Sequence, residues 1–277
     1  MLNQSMISAA VTMGQLQKKL DLTSNNLANV NTTGYKRRDA SFSDLLFQQV
    51  NNQVVAEQET GRLTPNGIRA GSGAALAQTA VRFEQGALQQ TDRPLDIALT
   101  EKGYFFELAP TEDGERRFTR DGAFYLSPNP NNAGENYLVN QDGDYVLGED
   151  GEPIVIPANY EDLQITDQGT IQIVINGDET EVVGQLQLVN ITKPQLLNSI
   201  GNNAYVFPNL DDLDLEFGDV LEEAVGTDVF RQGSLEMSNV DMSREISEML
   251  LTQRNYQFNA RAVSISDEMM GLVNSIR

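Results

Sequence analysis

Acid–base chemistry in this chain has only carboxylates to work with. The sequence contains no histidine, no cysteine and no tryptophan. That removes His-based triads, thiolate nucleophiles, disulfides, the usual zinc ligand sets and haem held by a histidine. A pair such as Asp121 and Asp142 has the residue types for glycoside hydrolysis, in which one carboxyl donates a proton and the other serves as base or nucleophile. Both stand in Asp-Gly dipeptides, however, where an aspartate already shapes a turn. No serine sits in a G-x-S-x-G elbow. Gly71 and Gly73 follow no clear strand and open no amphipathic helix, so they make no phosphate cradle. The run DDLDLEFGDVLEE places Asp211, Asp212, Asp214, Glu216, Asp219, Glu222 and Glu223 close together. Its spacing is not that of a calcium-binding EF-hand loop, and it reads as a solvated acidic loop. The sequence therefore predicts no catalytic residue, no metal site and no cofactor.

Charge narrows the partners. Lys and Arg number 19 against 40 Asp and Glu, a net charge of −21 in 277 residues. Nucleic acid and anionic bilayer surfaces both call for a basic face, so neither is expected as a partner. No run approaches the roughly 18 apolar residues of a membrane span. The opening MLNQSMISAAVTMGQLQKKL has no basic head and no unbroken apolar stretch, so a Sec-type signal peptide is not expected there.

What the sequence does organise is a helix at each end. From Ser234 to Arg277 there is no proline and one glycine, Gly271. Asn239 or Asp241 can cap the start. Two apolar stripes run along this segment in alternating steps of four and three. Met242, Ile246, Met249, Tyr256, Ala260, Val263 and Met270 form the first, with Gln253 and Asp267 in its polar slots. Leu251, Phe258, Ala262, Ile265, Met269, Leu272 and Ile276 form the second, with Asn255 in one slot. The two lie about 200° apart around the helix. A helix of this kind is either sandwiched within its own domain or packed against partners on both sides. At the other end, Leu2, Met6, Ala9, Met13, Leu16, Leu20, Leu27 and Val30 keep the same alternation, with Thr23 in the one polar slot. That is a heptad seam suited to a helical partner. Thirty such residues make a rod of about 45 Å.

Between the helices the pattern changes. Asn25, Asn26, Asn29 and Asn31 compete with helix through side-chain bonds to backbone, and Gly34 completes a stop. Lys36, Arg37 and Arg38 form the chain's basic cluster. Residues 36–80 read as an extended linker, with a hairpin signal at Asn66-Gly67. All nine prolines fall between Pro65 and Pro208. Residues 81–208 otherwise alternate short β-rich runs such as YFFEL, TIQIVI and AYVF with Asp-Gly and Asn-Gly separators, as in an all-β domain rich in hairpins, and 209–233 close the region. The expected fold class is α+β. Residues 1–35 pair with 236–277 as a discontinuous helical coiled-coil domain, followed by the linker 36–80 and a mainly-β domain 81–235.

At this point the sequence resembles the bacterial flagellar axial proteins, the rod and hook group. LDLTSNNLANVNTTGYKRRDASF (Leu20 to Phe42) is similar to that family's N-terminal signature, in which Asn25, Asn26, Leu27, Ala28, Asn29, Gly34, Tyr35 and Lys36 are the matching positions. RPLDIALTEKGYFFEL (Arg93 to Leu108) and FTRDGAF (Phe118 to Phe124) resemble its central β motif. VGQLQLVN (Val183 to Asn190) and the segment from Gly233 to Met270 match the remaining pieces. Within the family, the chain length and the stretch Gly67 to Leu99 look like those of the distal rod protein or a paralogue of it.

The resemblance implies a structural subunit and no enzyme. It implies export by the flagellar type III apparatus into the cell envelope, and assembly with copies of itself and with other rod and hook proteins into the drive shaft that turns the hook. The helical stripes then become the polymerisation surface: Leu2, Met6, Met13, Leu16, Leu20, Leu27 and Val30 from one end, with Met242, Ile246, Met249, Leu251, Tyr256, Phe258, Val263, Ile265, Met269, Leu272 and Ile276 from the other. Other readings are a hook or hook-junction protein and, in a different class, a peptidoglycan-binding envelope protein.

Overall fold

A computed structural model describes residues 2–44, 48–50, 68–70, 74–111, 114–130, 132, 134–175, 179–210, 213–224 and 226–275. The hairpin signal at Asn66-Gly67, the glycines at 71 and 73, and Asp211 and Asp212 of the acidic run lie outside them. The fold is α+β, with a long helix at each end and a β-rich middle.

In chain order, helix α1 (Leu2–Ala28) leads to strands β1 (Arg38–Asp44), β2 (Gln48–Val50), β3 (Ile68–Ala70) and β4 (Ala74–Val81). Next come β5 (Leu88–Gln90), β6 (Ile97–Leu99), β7 (Tyr104–Leu108), β8 (Arg117–Thr119), β9 (Tyr125–Pro128), β10 (Glu135–Val139), β11 (Val155–Pro157), β12 (Asp162–Ile165), β13 (Thr170–Ile175), β14 (Glu179–Gln185), β15 (Leu188–Ile191), β16 (Asn198–Gly201) and β17 (Ala204–Val206). A short helix α2 (Phe217–Val220), strands β18 (Leu221–Glu223), β19 (Phe230–Gln232) and β20 (Ser234–Glu236), and the long helix α3 (Met242–Ser275) complete the chain.

These elements form two compact units. One comprises residues 1–28, 38–80 and 241–277; the other comprises 29–37 and 81–240. In the helical unit, α1 packs along α3, and β1 pairs with β4 while β2 pairs with β3. Asp241 starts α3 as an N-cap: its Oδ1 accepts from the backbone N–H of Ser243 at 2.9 Å and Arg244 at 3.2 Å.

The β unit is built on a six-stranded sheet in the order β16-β17-β8-β7-β15-β18. Its strands alternate with period two, and both faces are apolar. Phe105, Phe118, Val189, Ile191 and Tyr205 supply one core, while Phe106, Leu108 and Leu188 join the other with Leu138, Ile156, Ile171 and Ile173. Three-stranded sheets β11-β10-β9 and β12-β13-β14 contribute to the second core. Each fully buried side chain of this size is worth about 1.5–3 kcal/mol, so the unit holds itself together without disulfides.

The turn chemistry is mixed. Gly143 and Gly151 take positive φ of 90° and 74° after their aspartates, as Asp-Gly turns require. Asp121-Gly122 is different. Its glycine is buried in irregular backbone, and a Cβ there would come within 1.7 Å of the Ile97 carbonyl oxygen. Glycine is needed at this position for the close approach of two backbones, not for a turn.

Candidate assembly site

The helical unit shows which stripe of α3 is covered. Glu245, Thr252 and Ser266 are its buried side chains, with Met249, Asn259, Ala260, Val263 and Met270 half-buried. The covered line is therefore two rows, each with residues at multiples of seven. The row through Met249, Val263 and Met270 is apolar, and the row through Glu245, Thr252, Asn259 and Ser266 is polar. On α1 the buried residues are Ala9, Thr23 and Asn26, while Met6, Met13, Leu16, Leu20 and Leu27 are half-buried. Lys19 Nζ lies 3.6 Å from Glu248 Oε2, and Asn26 Nδ2 donates to Glu245 Oε2 at 3.2 Å. The partner number falls as the α1 number rises, so the helices run antiparallel.

Small polar residues fill this seam because their own helices satisfy them. The hydroxyl of Thr23 donates to the Lys19 carbonyl at 2.9 Å, Thr252 to Glu248 at 2.7 Å and Ser266 to Ala262 at 2.8 Å. Each then packs like a small apolar group and lets the helices approach. Asn26 has a larger task. Its Oδ1 accepts from the Arg38 amide at 3.0 Å and its Nδ2 donates to the Arg38 carbonyl at 2.8 Å, so one side chain fastens the end of α1 to the start of β1.

Among the described residues, the opposite face of α3 is bare. Leu251, Phe258, Ile265 and Leu272, at seven-residue intervals, are 59%, 65%, 54% and 64% exposed. Met269 joins this face, and Met242, Ile246, Leu250 and Tyr256 are also exposed. Of the first stripe, then, Met249, Ala260, Val263 and Met270 are covered, while Met242 and Ile246 stand open. Leu2 heads α1, and Ile276 lies outside the described residues.

The second half of the N-terminal signature lies in the β unit, where half-buried Val30 also sits. The Gly34 amide donates to the Glu236 carbonyl at 2.8 Å. Gly34 has φ +67°, and a Cβ there would come within 2.6 Å of the Asp121 nitrogen. Tyr35 is buried. The Arg37 amide donates to Asn239 Oδ1 at 2.7 Å, and Asn239 Nδ2 donates to the carbonyls of Arg82 and Glu84. Asn203 Nδ2 holds the Thr33 carbonyl at 2.8 Å.

At the centre is a buried ion cluster. Lys36 Nζ donates to Glu236 Oε1 at 2.6 Å and to the Glu84 carbonyl at 2.9 Å. Arg120 Nε donates to Glu236 Oε2 at 2.7 Å, and its Nη atoms donate to the carbonyls of Tyr104 and Glu101. The Gly86 amide adds a further bond to Glu236 Oε1 at 2.8 Å. Two cations thus share one carboxylate in a dry site. Burial pulls the Lys36 ammonium down to about 8; attraction to Glu236 opposes this and repulsion from Arg120 adds to it. Nearby, burial raises the Asp121 carboxyl, against hydrogen bonds from Thr33 and the Ala123 amide.

Arg120, Glu236 and Glu245 were not singled out from the sequence, although all three lie inside the quoted motifs; Asn239 read only as a possible helix cap, a place that Asp241 takes. Their role appears only when distant segments meet. Of the carboxylates weighed for catalysis, Asp121 is hydrogen-bonded to Thr33 and the Ala123 amide, while Asp142 is exposed and enters its turn through its backbone amide, which donates to Asn140 Oδ1. Among the described residues no group of three or more acidic side chains could hold a metal ion. Asp219 forms a capping box with Glu216 on α2.

Three family models match this chain: "Flagella basal body rod protein" at residues 6–36, "Flagellar hook protein FlgE/F/G D1 domain" at 98–173 and "Flagellar basal body rod FlgEFG protein C-terminal" at 231–276. The flagellar hook-basal body complex protein FlhP of Bacillus subtilis (strain 168) is 38% identical over 276 residues, 99% of each chain. The flagellar basal-body rod protein FlgG of Caulobacter vibrioides is 33% identical over 99% of each chain, and FlgG of Bacillus subtilis is 34% identical over 96% of each. This chain belongs to the flagellar rod and hook axial family. The matched terminal segments of this axial protein carry the ion cluster between them, Lys36 from the first and Glu236 from the last, and the matched central segment supplies Arg120.

Proposed function

We infer that this axial protein is a structural subunit of the flagellar basal-body rod and that it assembles through the outward face of α3. The observation that carries the reading is the row Leu251, Phe258, Ile265 and Leu272, each more than half exposed on a helix whose opposite side is already covered. A contiguous apolar face of this kind is costly in water and calls for a partner. Its seven-residue repeat suits another helix, and a head-to-tail contact that does not close builds a filament. In this reading α1 and α3 form a coiled coil, the neighbours are copies of this chain and other rod and hook proteins, and the shaft transmits torque to the hook. Export would use the flagellar type III apparatus, and the subunit resides in the basal body. The names of its full-length relatives support this assignment.

The test is substitution on the outward face. Phe258→Asp and Ile265→Asp should abolish incorporation into rods and motility, with the unfolding transition of the β unit unchanged. Normal rods built from either variant would overturn the interface.

A further inference from the structure

The chain passes between its two units four times, after residues 28, 37, 80 and 240. Any force carried along the backbone from one unit to the other must use these passages. One side chain ties three of them together. Asn239 stands just before the passage after 240. Its Oδ1 accepts from the amide of Arg37, at the passage after 37, at 2.7 Å. Its Nδ2 donates to the carbonyl of Arg82, just past the passage after 80, at 2.7 Å, and to the Glu84 carbonyl at 3.0 Å. The partners fix the orientation of the amide, since Arg37 offers an N–H and the other two offer carbonyls. The Arg82 amide also donates to the Arg37 carbonyl at 2.8 Å, so the three segments close a ring of bonds.

Behind Asn239 the same three segments stay joined. The Met237 amide donates to the Ala87 carbonyl at 2.8 Å, and β20 pairs with β5. A Cβ on Gly86 would come within 1.9 Å of the Met237 carbonyl oxygen, so the two backbones run in close contact there. Lys36 bonds both Glu84 and Glu236, and the Gly86 amide bonds Glu236. All of these residues lie outside the six-stranded sheet. Load entering along the three segments therefore meets their mutual bonds before it meets the sheet.

We propose that Asn239 is the positioning residue of a force-transmitting joint. It binds three passages at one point, so force arriving along any one of them is shared by all three. The inference rests on the rod reading above, which supplies that force as torque. An amide suits the task, with an acceptor and two donors on one short side chain. Aspartate lacks the donors and would set a charge against two carbonyls, and alanine bonds to nothing. Resistance to pulling follows the rate of unfolding rather than equilibrium stability. Bonds at the point of loading therefore count for more than their small net worth at equilibrium.

The experiment pulls the full chain in optical tweezers. The chain has no cysteine, so Gln257→Cys on α3 and Glu149→Cys in the β unit, both at exposed positions, take the handles. In Asn239→Ala the force of the first rupture in the β unit should fall by at least a third at a fixed loading rate, and Asn239→Asp should do no better. Val189→Ala, which hollows the sheet core, is the control. It should lower the urea midpoint at least as far as Asn239→Ala while leaving the first rupture force within a tenth of wild type. An unchanged force in Asn239→Ala overturns the inference. So does a force that falls in step with the urea midpoint in both variants, which makes Asn239 an ordinary stabilising contact. In cells, rods containing Asn239→Ala should form in normal number, and swimming should fail at a lower viscosity than in wild type. Weakened rupture with unimpaired swimming under viscous load would overturn the torque role. Absence of this chain from purified basal bodies would sink the rod reading and leave the mechanics of the joint standing.

Discussion

Lys36 Nζ lies 2.6 Å from Glu236 Oε1, joining side chains that stand 200 residues apart in the chain and are both closed off from solvent. The contact closes the β unit on itself: an N-terminal strap and a C-terminal strap cross, and each supplies one charge. Arg120 from the middle of the chain completes the cluster. Removing one partner from a buried ion pair costs about 3–5 kcal/mol, because the group left behind stays buried and uncompensated. Glu236→Ala leaves two cations facing each other and should lower the stability of the β unit by at least that amount in urea unfolding. Lys36→Met keeps the Glu236–Arg120 pair and most of the volume, so it should cost far less. Equal losses in the two variants would contradict the cluster's charge accounting.

The same lysine predicts a pH dependence. Its folded value of about 8 is depressed from the ordinary 10.5. Between those values the unfolded chain binds the proton and the folded chain does not, so stability rises with pH across that window. Below about 8 both states carry the proton and the full penalty of burying it remains. At 1.36 kcal/mol per unit the gain from pH 8 to 10.5 is on the order of 3 kcal/mol. Tyrosines titrate in the same range, so the quantity to measure is the difference between the wild-type chain and Lys36→Met. The wild-type advantage over Lys36→Met should grow as pH rises from about 8 to 10.5 and level off above 10.5. A difference that is flat with pH would show that Lys36 titrates normally.

Much of this architecture was legible in the sequence, and what was missed has physical causes. The outward stripe of α3 was readable because Leu251, Phe258, Ile265 and Leu272 are large and periodic. The covered seam was only half readable. Its second row is Glu245, Thr252, Asn259 and Ser266, and hydrophobic periodicity does not register residues that pack through hydrogen bonds to their own helix. Asn25 to Gly34 read as helix-stopping punctuation, which describes Gly34 but not Asn26, whose amide holds Arg38 across 12 residues of chain. The basic residue Lys36 stood out by type; its acidic partner did not, since one glutamate among 40 acidic residues carries no local mark. Non-local pairings such as β15 with β7 leave no local mark either.

Gly34 gives a third prediction. Its φ of +67° is disfavoured for any side chain, and a Cβ would meet the backbone of Asp121 and Arg120. Backbone cannot swing aside as a flexible side chain can. Gly34→Ala should therefore cost more than the roughly 1 kcal/mol of left-handed strain alone and should lower the melting temperature of the β unit by several degrees. Gly143→Ala, at φ +90° with open space around it, isolates the strain without the clash. A melting temperature for Gly34→Ala equal to that of Gly143→Ala would rule out the close approach.

The last prediction follows from how little the helices bury. Among the described residues of α1 and α3, Ala9 is the one buried apolar side chain; the other buried positions are Thr23, Asn26, Glu245, Thr252 and Ser266. Polar contacts of this kind contribute only about 1 kcal/mol each in net terms, and ordering a residue costs 1–2 kcal/mol of backbone entropy. The helix pair therefore lacks the apolar burial that would hold it closed in isolation. Burying the face of Leu251, Phe258, Ile265, Met269 and Leu272 against neighbours supplies what is missing, so folding of the ends and assembly become one event. In the monomer, amides of α3 beyond about Thr252 should exchange with solvent within seconds while the β unit stays protected. On assembly their exchange should slow by at least a hundredfold. Monomeric α3 amides as protected as those of β7 would mean that the helix pair is stable alone and that assembly does not drive its folding.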